Sequence, residues 1–336
     1  MLRRATLVFA LFAAAQAGAI SIDLGPASGY NLFIKGNFTQ PGADSQGKIA
    51  IGGNANIGQY DVGVNYEPNT HRDGIQFNQT GQYDDVLVVG GNLTTTQWAW
   101  GNIKGNLVLG GELTAGSSTN AVKGTTTKGT PIDFDGAFAQ FTALSQELAT
   151  HDNTGGLDFK YNNWLILDGS AESNLYFANI TGDMLASATD MTATGLKQDD
   201  TLVINVSGKY INFDSLNYGQ RENFGALDMS PSNILYNFFE AESITFSGGI
   251  KGNFLAPNAD FTFLQGDLSG QVIAESWTGG WGAQANLWNG YFNPYIDDTP
   301  PTIPPVVSVS EPSPLLLLLG GVLALVLIRL KHTKQL

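Results

Sequence analysis

Short apolar runs separated by clusters of small polar residues set the rhythm of this chain. "GKIAIGG" from Gly47, "DVLVVGG" from Asp85 and "GNLVLGG" from Gly105 each lead β-forming residues into a Gly-Gly pair. Asn54, Asn92 and Glu112 follow those pairs directly. "NLFIKGNFT", "NWLILDG", "TLVINVSG", "SITFSGG" and "GQVIAE" have the same form. Short runs of this kind, bounded by Gly, Asn, Asp or Ser, predict strands between tight turns. Ile49 and Ile51, like Leu107 and Leu109, sit two apart and so share one face.

The spacing of the glycine pairs predicts how the strands are arranged. Gly90-Gly91 and Gly110-Gly111 are 20 residues apart, about one coil of a β-solenoid. Gly52-Gly53 and Gly90-Gly91 are 38 apart, which reads as two coils. A glycine pair at a recurrent corner permits positive φ and lets neighbouring coils approach to ~4.8 Å without a clashing Cβ. The rival is a β-sandwich, but no strong Asn-Gly or Asp-Gly hairpin turn joins two runs.

One segment follows another period. In "IDFDGAFAQFTALSQELATH", Phe134, Phe138, Phe141, Leu144 and Leu148 line one face of a helix over about 134–150. Asp133 or Asp135 can cap its start. Such a rod, ~25 Å long, covers about five coils stacked at ~4.8 Å and needs the side of a solenoid as its partner.

The ends of the chain read as addresses. Arg3 and Arg4 precede an apolar run and the small residues "AQAGA", predicting a signal peptide over residues 1–19. The main body occupies 20–295, and a Pro-rich, stiff linker occupies 296–311. Residues 312–336 contain the apolar segment from Leu315 to Ile328, then Arg329, Lys331 and Lys334. That segment spans about 21 Å of a ~30 Å hydrocarbon core, and Leu330 with snorkelling basic side chains makes up much of the difference. A C-terminal transmembrane helix with a cytoplasmic tail is therefore predicted.

The 336 residues include no cysteine, which removes disulfides and thiolate metal sites. Formal net charge is −14, and −19 without the five basic residues of the two ends. A body this acidic repels nucleic acid and anionic lipid, so neither is expected as a partner.

Catalytic chemistry finds little support. His71 and His151 are the body's only histidines, and no nucleophile-elbow, H-E-x-x-H or phosphate-loop pattern occurs. Asp84-Asp85, Asp199-Asp200 and Asp297-Asp298 are adjacent pairs, which a strand would point to opposite sides. Glycoside hydrolysis needs two carboxyls facing one cleft at about 5–9.5 Å. "DFDG" at Asp133 is half an EF-hand loop without the later ligands. No cofactor is expected; a structural Ca²⁺ stays open, with no ligand set assignable.

Aromatic and hydroxyl residues are the better candidates for binding. Trp98 and Trp100, two apart, can share a face and stack sugars. Trp277, Trp281 and Trp288 are predicted to cap the end of the coil. Thr94–Thr96 and Thr125–Thr127 resemble ice-binding threonine arrays, but a flat ice face needs threonine at matching positions on successive coils, and these runs are local.

"NLFIKGNFTQPGADSQGKIAIGGNANIGQYDVG" resembles the opening of the choice-of-anchor A family, as does "GNFLAPNAD" from Gly252 followed by "GDLSGQVIAES" from Gly266. The resemblance covers nearly all of residues 28–295. It implies an ice-binding-protein-like adhesive domain: a right-handed parallel β-solenoid with one long flanking helix. The C-terminus resembles a PEP-CTERM sorting signal, with Glu311-Pro312, an apolar segment and a basic end, although Ser310 stands where that signal has proline. This implies either processing by an exosortase-type enzyme or retention as a membrane anchor.

The expected function is a non-enzymatic adhesive or matrix protein on the surface of a Gram-negative-type bacterium. Its partner would be exopolysaccharide, a neighbouring cell or a substratum. A carbohydrate-active enzyme on the same scaffold, a polysaccharide lyase or hydrolase, is the alternative, and ice binding is a third reading.

Overall fold

The computed structural model describes residues 22–68, 78, 80–95, 102–116, 121–160, 164–169, 173–188, 190–212, 231–286 and 291–294. The predicted signal peptide, the predicted membrane segment with Glu311 and Pro312, His71, Thr96, Trp98, Trp100, Trp288 and Asp297-Asp298 lie outside these residues. Among the described residues no helix is long and apolar enough to cross a membrane.

The chain winds. Leu32–Ile34, Ile49–Ile51, Asp85–Val89, Asn106–Leu109 and Thr126–Lys128 stack in parallel, each directly on the last. Side chains two apart point inward: Leu32 and Ile34, Ile49 and Ile51, Leu87 and Val89, Leu107 and Leu109 are all buried. A second parallel stack runs Leu175–Thr181, Thr201–Ser207, Ile234–Asn237, Asn253–Ser269 and Val272–Asn286. The two stacks meet out of chain order, because Leu32–Ile34 pairs with Val272–Ala274. The first coil of the N-terminal stack therefore lies against the last coil among the described residues. This is a mainly β, parallel, solenoid-like fold.

The glycine pairs occupy corresponding corners, as their recurrence predicts. The Gly53 amide donates to Gly36 O, the Gly91 amide to Gly53 O, and the Gly111 amide to Gly91 O, at 2.8–2.9 Å. A Cβ on Gly53 would lie 2.6 Å from the Gly36 carbonyl, and one on Gly91 would lie 2.7 Å from Gly53 O. Close approach is the whole reason, since none of these pairs has positive φ. The spacing of 38 is one coil with an excursion between Val62 and Asp85, not two coils, because Ile49 pairs directly with Leu87. The asparagines after the pairs link coils: Asn37, Asn54 and Asn92 each accept, through Oδ1, the amide of the residue at the next corner, at 2.8–2.9 Å.

Helix α1 (Phe134–Leu148) joins the stacks. Asp133 caps it by accepting the Gly136 amide at 3.0 Å. Its N-terminal half buries Phe138 and Phe141 around Phe33, which is 0% exposed, with ring centroids 5.9 and 5.7 Å away. Its C-terminal half rests on asparagines. Asn237, Asn205 and Asn179 are register neighbours on successive strands. Their Nδ2 groups donate to Ser145 O, Leu148 O and His151 O at 2.8–2.9 Å. These carbonyls belong to the last turn and beyond, where a helix runs out of its own donors, although Ser145 O also accepts the Ala149 amide at 3.2 Å. They are spaced three residues apart, ~4.5 Å along the helix axis, which nearly matches the ~4.8 Å between strands. Ser145 rather than Leu144 therefore sits in the seam.

A small three-stranded sheet, Gly156–Lys160, Trp164–Asp168 and Asp190–Thr194, holds the one antiparallel pair among the described residues. It buries Leu165, Leu167 and Met191 in the common core. Helix α2 (Gly182–Ser187) leads into its last strand, capped by Thr181, whose Oγ1 accepts the Met184 amide at 3.1 Å.

Candidate functional site

The two long strands, Asn253–Ser269 and Val272–Asn286, turn corners and continue onto further sides of the coil. On the second side they pair with Tyr210–Asn212, Ser243–Phe246, Phe38–Ser45, Ala55–Val62, Leu93–Thr95 and Leu113–Thr114, directly or through one another. The inward residues here are large and aromatic. Trp277 stacks between Phe261 and Phe38, with centroids at 5.3 and 6.1 Å and interplanar angles of 3° and 13°. A stacked aromatic core keeps neighbouring strands in register and flat.

The outward residues form a regular array. In register order, Asn212, Thr245, Thr262, Thr278, Thr39, Asn56, Thr94 and Thr114 occupy one file, one residue per strand. Thr39, Asn56, Thr94, Thr114, Thr278 and Asn212 are exposed, and Thr245 and Thr262 half-buried. Strand spacing puts successive members about 4.8 Å apart. A second file lies two residues back, about 6.7 Å away along the strands: Tyr210, Ser243, Asp260 and Ser276, then the corner residues Asn37, Asn54, Asn92 and Glu112. Ser276 Oγ donates to Asp260 at 2.5 Å, and the corner asparagines are held by the bonds already described. The threonine hydroxyls of the first file make no hydrogen bond to other described residues, so they face solvent as donors and acceptors.

Charge is sparse on this face: Asp260 lies within the second file, and ion pairs stand at its two ends. At one end Lys209 pairs with Glu242, and Tyr210 donates to the same carboxylate at 3.1 Å. The Lys209 hydrogen bond, followed by that of Tyr210, holds the Glu242 carboxyl below its usual range. At the other end Lys128 pairs with Glu112 at 2.9 Å.

Several residues singled out in the sequence lie elsewhere. Thr94 belongs to the face, but Thr95 points inward and is buried, and Thr127 continues the file of Ala50 and Val88 on the helix side. Trp277 is core in the middle of the stack, and Trp281 is a surface residue there, so neither caps an end. Asp84 pairs with Lys48 at 3.7 Å, and Asp85 accepts from Asn106 at 3.1 Å. Asp200 is buried and accepts the Lys197 amide at 2.6 Å. His151 stacks on Phe177 at 4.5 Å. Among the described residues no group of three or more His, Asp or Glu is placed to hold a metal ion, and Asp133 of "DFDG" serves as a helix cap.

With the winding and the outward array established, comparison with known proteins gives them a context. The family model described as "Putative Ice-binding-like adhesive domain" matches residues 23–285. The chain belongs to that family. A solved structure titled "Crystal structure of an ice binding protein from an Antarctic Biological Consortium" is similar over 83% of this chain and 94% of that one, at 16% identity and a TM-score of 0.37. No curated protein matches the chain. An ice-binding-like adhesive domain thus accounts for nearly all the described residues. The feature that reading the sequence missed was the threonine file, whose members are scattered from Thr39 to Thr278. A usable signal existed, an outward threonine directly beside a large core aromatic or aliphatic residue, but only the pairing order aligns the copies.

Proposed function

We propose that this ice-binding-like adhesive domain is carried on an exported, surface-anchored, non-enzymatic protein of a Gram-negative-type bacterium. Its threonine face holds repeating, hydroxyl-rich polymer surfaces, above all exopolysaccharide of the matrix. The observation that carries this reading is the eight-strand file of threonine and asparagine at a constant strand spacing. Each hydroxyl offers one weak contact, and a periodic partner meets many at once, so affinity grows through repetition. The resemblance of the chain's ends to a signal peptide and to a PEP-CTERM signal supports export, anchoring by the C-terminal segment and handling by an exosortase-type enzyme. Deleting residues 20–295 while keeping both ends is expected to reduce matrix attachment of the cells. Attachment equal to wild type would overturn the proposal.

The same file favours ice as a second reading, because a flat threonine array can order water in a lattice. That reading expects thermal hysteresis and ice-crystal shaping by the purified protein, abolished by Thr39→Tyr.

A further inference from the structure

We infer that Trp281 is a preorganised stacking platform for a neutral pyranose ring, at the edge where the threonine face turns into the next side of the coil. This deepens the reading of the domain as a polysaccharide adhesive and rests on it.

Trp281 is 68% exposed, in the middle of a stack whose other large aromatics are mostly buried. Its exposure is built in. Along the pair of long strands Phe263 faces Gly279 and Gln265 faces Gly282, so Gly280 and Trp281 together oppose Leu264. That extra residue is a β-bulge, a device that re-aims a side chain. The local sequence fits only this arrangement: a Cβ on Gly280 would lie 1.8 Å from Leu264 O, and one on Gly279 would lie 1.5 Å from Gln40 Oε1.

Gln40, fully buried, fixes the bulge from beneath. Its Nε2 donates to Gly42 O at 2.7 Å, Gly280 O at 2.9 Å and Ala283 O at 3.3 Å, while its Oε1 accepts the Trp277 indole N–H at 2.8 Å. The Trp281 ring then lies over Gly42: a Cβ there would sit 2.6 Å from Cε3 and 3.2 Å from Cζ3. Ala43, the one non-glycine residue with positive φ among the described residues (φ 80°), follows in the same strand. One side of the indole is thus seated on backbone and the other is open.

An apolar ring face held rigid beside hydrogen-bonding groups suits a sugar, whose C–H face stacks while its rim hydroxyls bond. The rim here is amide and carboxylate: Gln284 donates to Asp44 at 3.0 Å, and Asp267 is the register neighbour of Gln284. Carboxylates accept from neutral hydroxyls and repel uronates, which selects a neutral pyranose.

Calorimetric titration of the full-length protein with cellohexaose, laminarihexaose, chitohexaose and hexagalacturonate tests this. At least one neutral hexasaccharide is expected to bind saturably. Trp281→Ala should weaken it at least tenfold with an unchanged melting temperature, and Trp281→Phe should weaken it less. Gly42→Ala, which pushes the ring off its seat, should also weaken it. Absence of binding by all three neutral sugars, or equal binding by Trp281→Ala, would overturn the platform. Hexagalacturonate binding as tightly would overturn its selectivity. If cell attachment still depends on residues 20–295 while sugar binding fails, the platform falls and the adhesive function stands.

Discussion

Phe33 and Thr39 lie six residues apart on one coil, and both point outward, from different sides. Phe33 is completely covered by α1, whereas Thr39 is bare. The strands beneath them pair in parallel in both places, and the inward residues are mostly apolar on both sides. What differs is the outward file: Phe33, Ile273 and Leu255 on one side, Thr39, Thr278 and Thr262 on the other. The first demands a partner because exposed apolar surface costs about 25 cal/mol per Å². The second is satisfied by water and stays free for an external one. A solenoid therefore assigns stability and contact to separate walls.

The sharpest way to break this division is Phe141→Ala, which removes a buried ring that packs edge-on against Phe33. A loss of about 3–5 kcal/mol is expected, read by thermal or denaturant unfolding. Asn205→Ala tests the polar half of the same wall. It strips a donor from Leu148 O and from Asn179 Oδ1, and is expected to cost about 1–3 kcal/mol, with faster amide exchange at the end of α1.

Neither Phe33 nor Thr39 titrates, so pH probes the remainder of the molecule. Burial pushes the Tyr66 hydroxyl up to about 12, and its neighbour Tyr291, 2.6 Å away, is raised for the same reason. Below about pH 10 these groups are protonated in both states, so their contribution is fully present. Above it the unfolded chain ionises first, and stability falls as pH rises through about 12. Tyr66→Phe should flatten that decline in urea titrations between about pH 10 and 12. The smallest expected change is from Thr278→Val, within about 0.5 kcal/mol of wild type in stability. The same variant should lower attachment to matrix polysaccharide. A large drop in stability instead would mean that the face is structural after all.

The sequence made much of this visible. The helix over Phe134–Leu148, its Asp133 cap and its length relative to the stack follow from periodicity and capping chemistry. The corner role of Gly52-Gly53, Gly90-Gly91 and Gly110-Gly111 follows from recurrence. Two details did not: the 38-residue interval hides an excursion within one coil, and Ser145 displaces Leu144 in the seam because Asn237 waits beneath it. The helical stripe cannot announce a polar partner supplied by strands some 90 residues away. Trp281 looked like an end cap because it is late in the chain, yet the out-of-order junction of the stacks places it mid-surface.

By itself, then, the sequence determined what is local: which runs extend, where glycine lets coils touch, and which stretch becomes a helix with one apolar face. The tertiary structure alone decided which coils are neighbours. Thr39 lies beside Thr278 only because Leu32–Ile34 pairs with Val272–Ala274, a contact between opposite ends of the folded region. Parallel strands are aligned by the packing of their inward side chains and not by any turn between them. A file of outward hydroxyls consequently exists as a surface only once the core beneath has set the order.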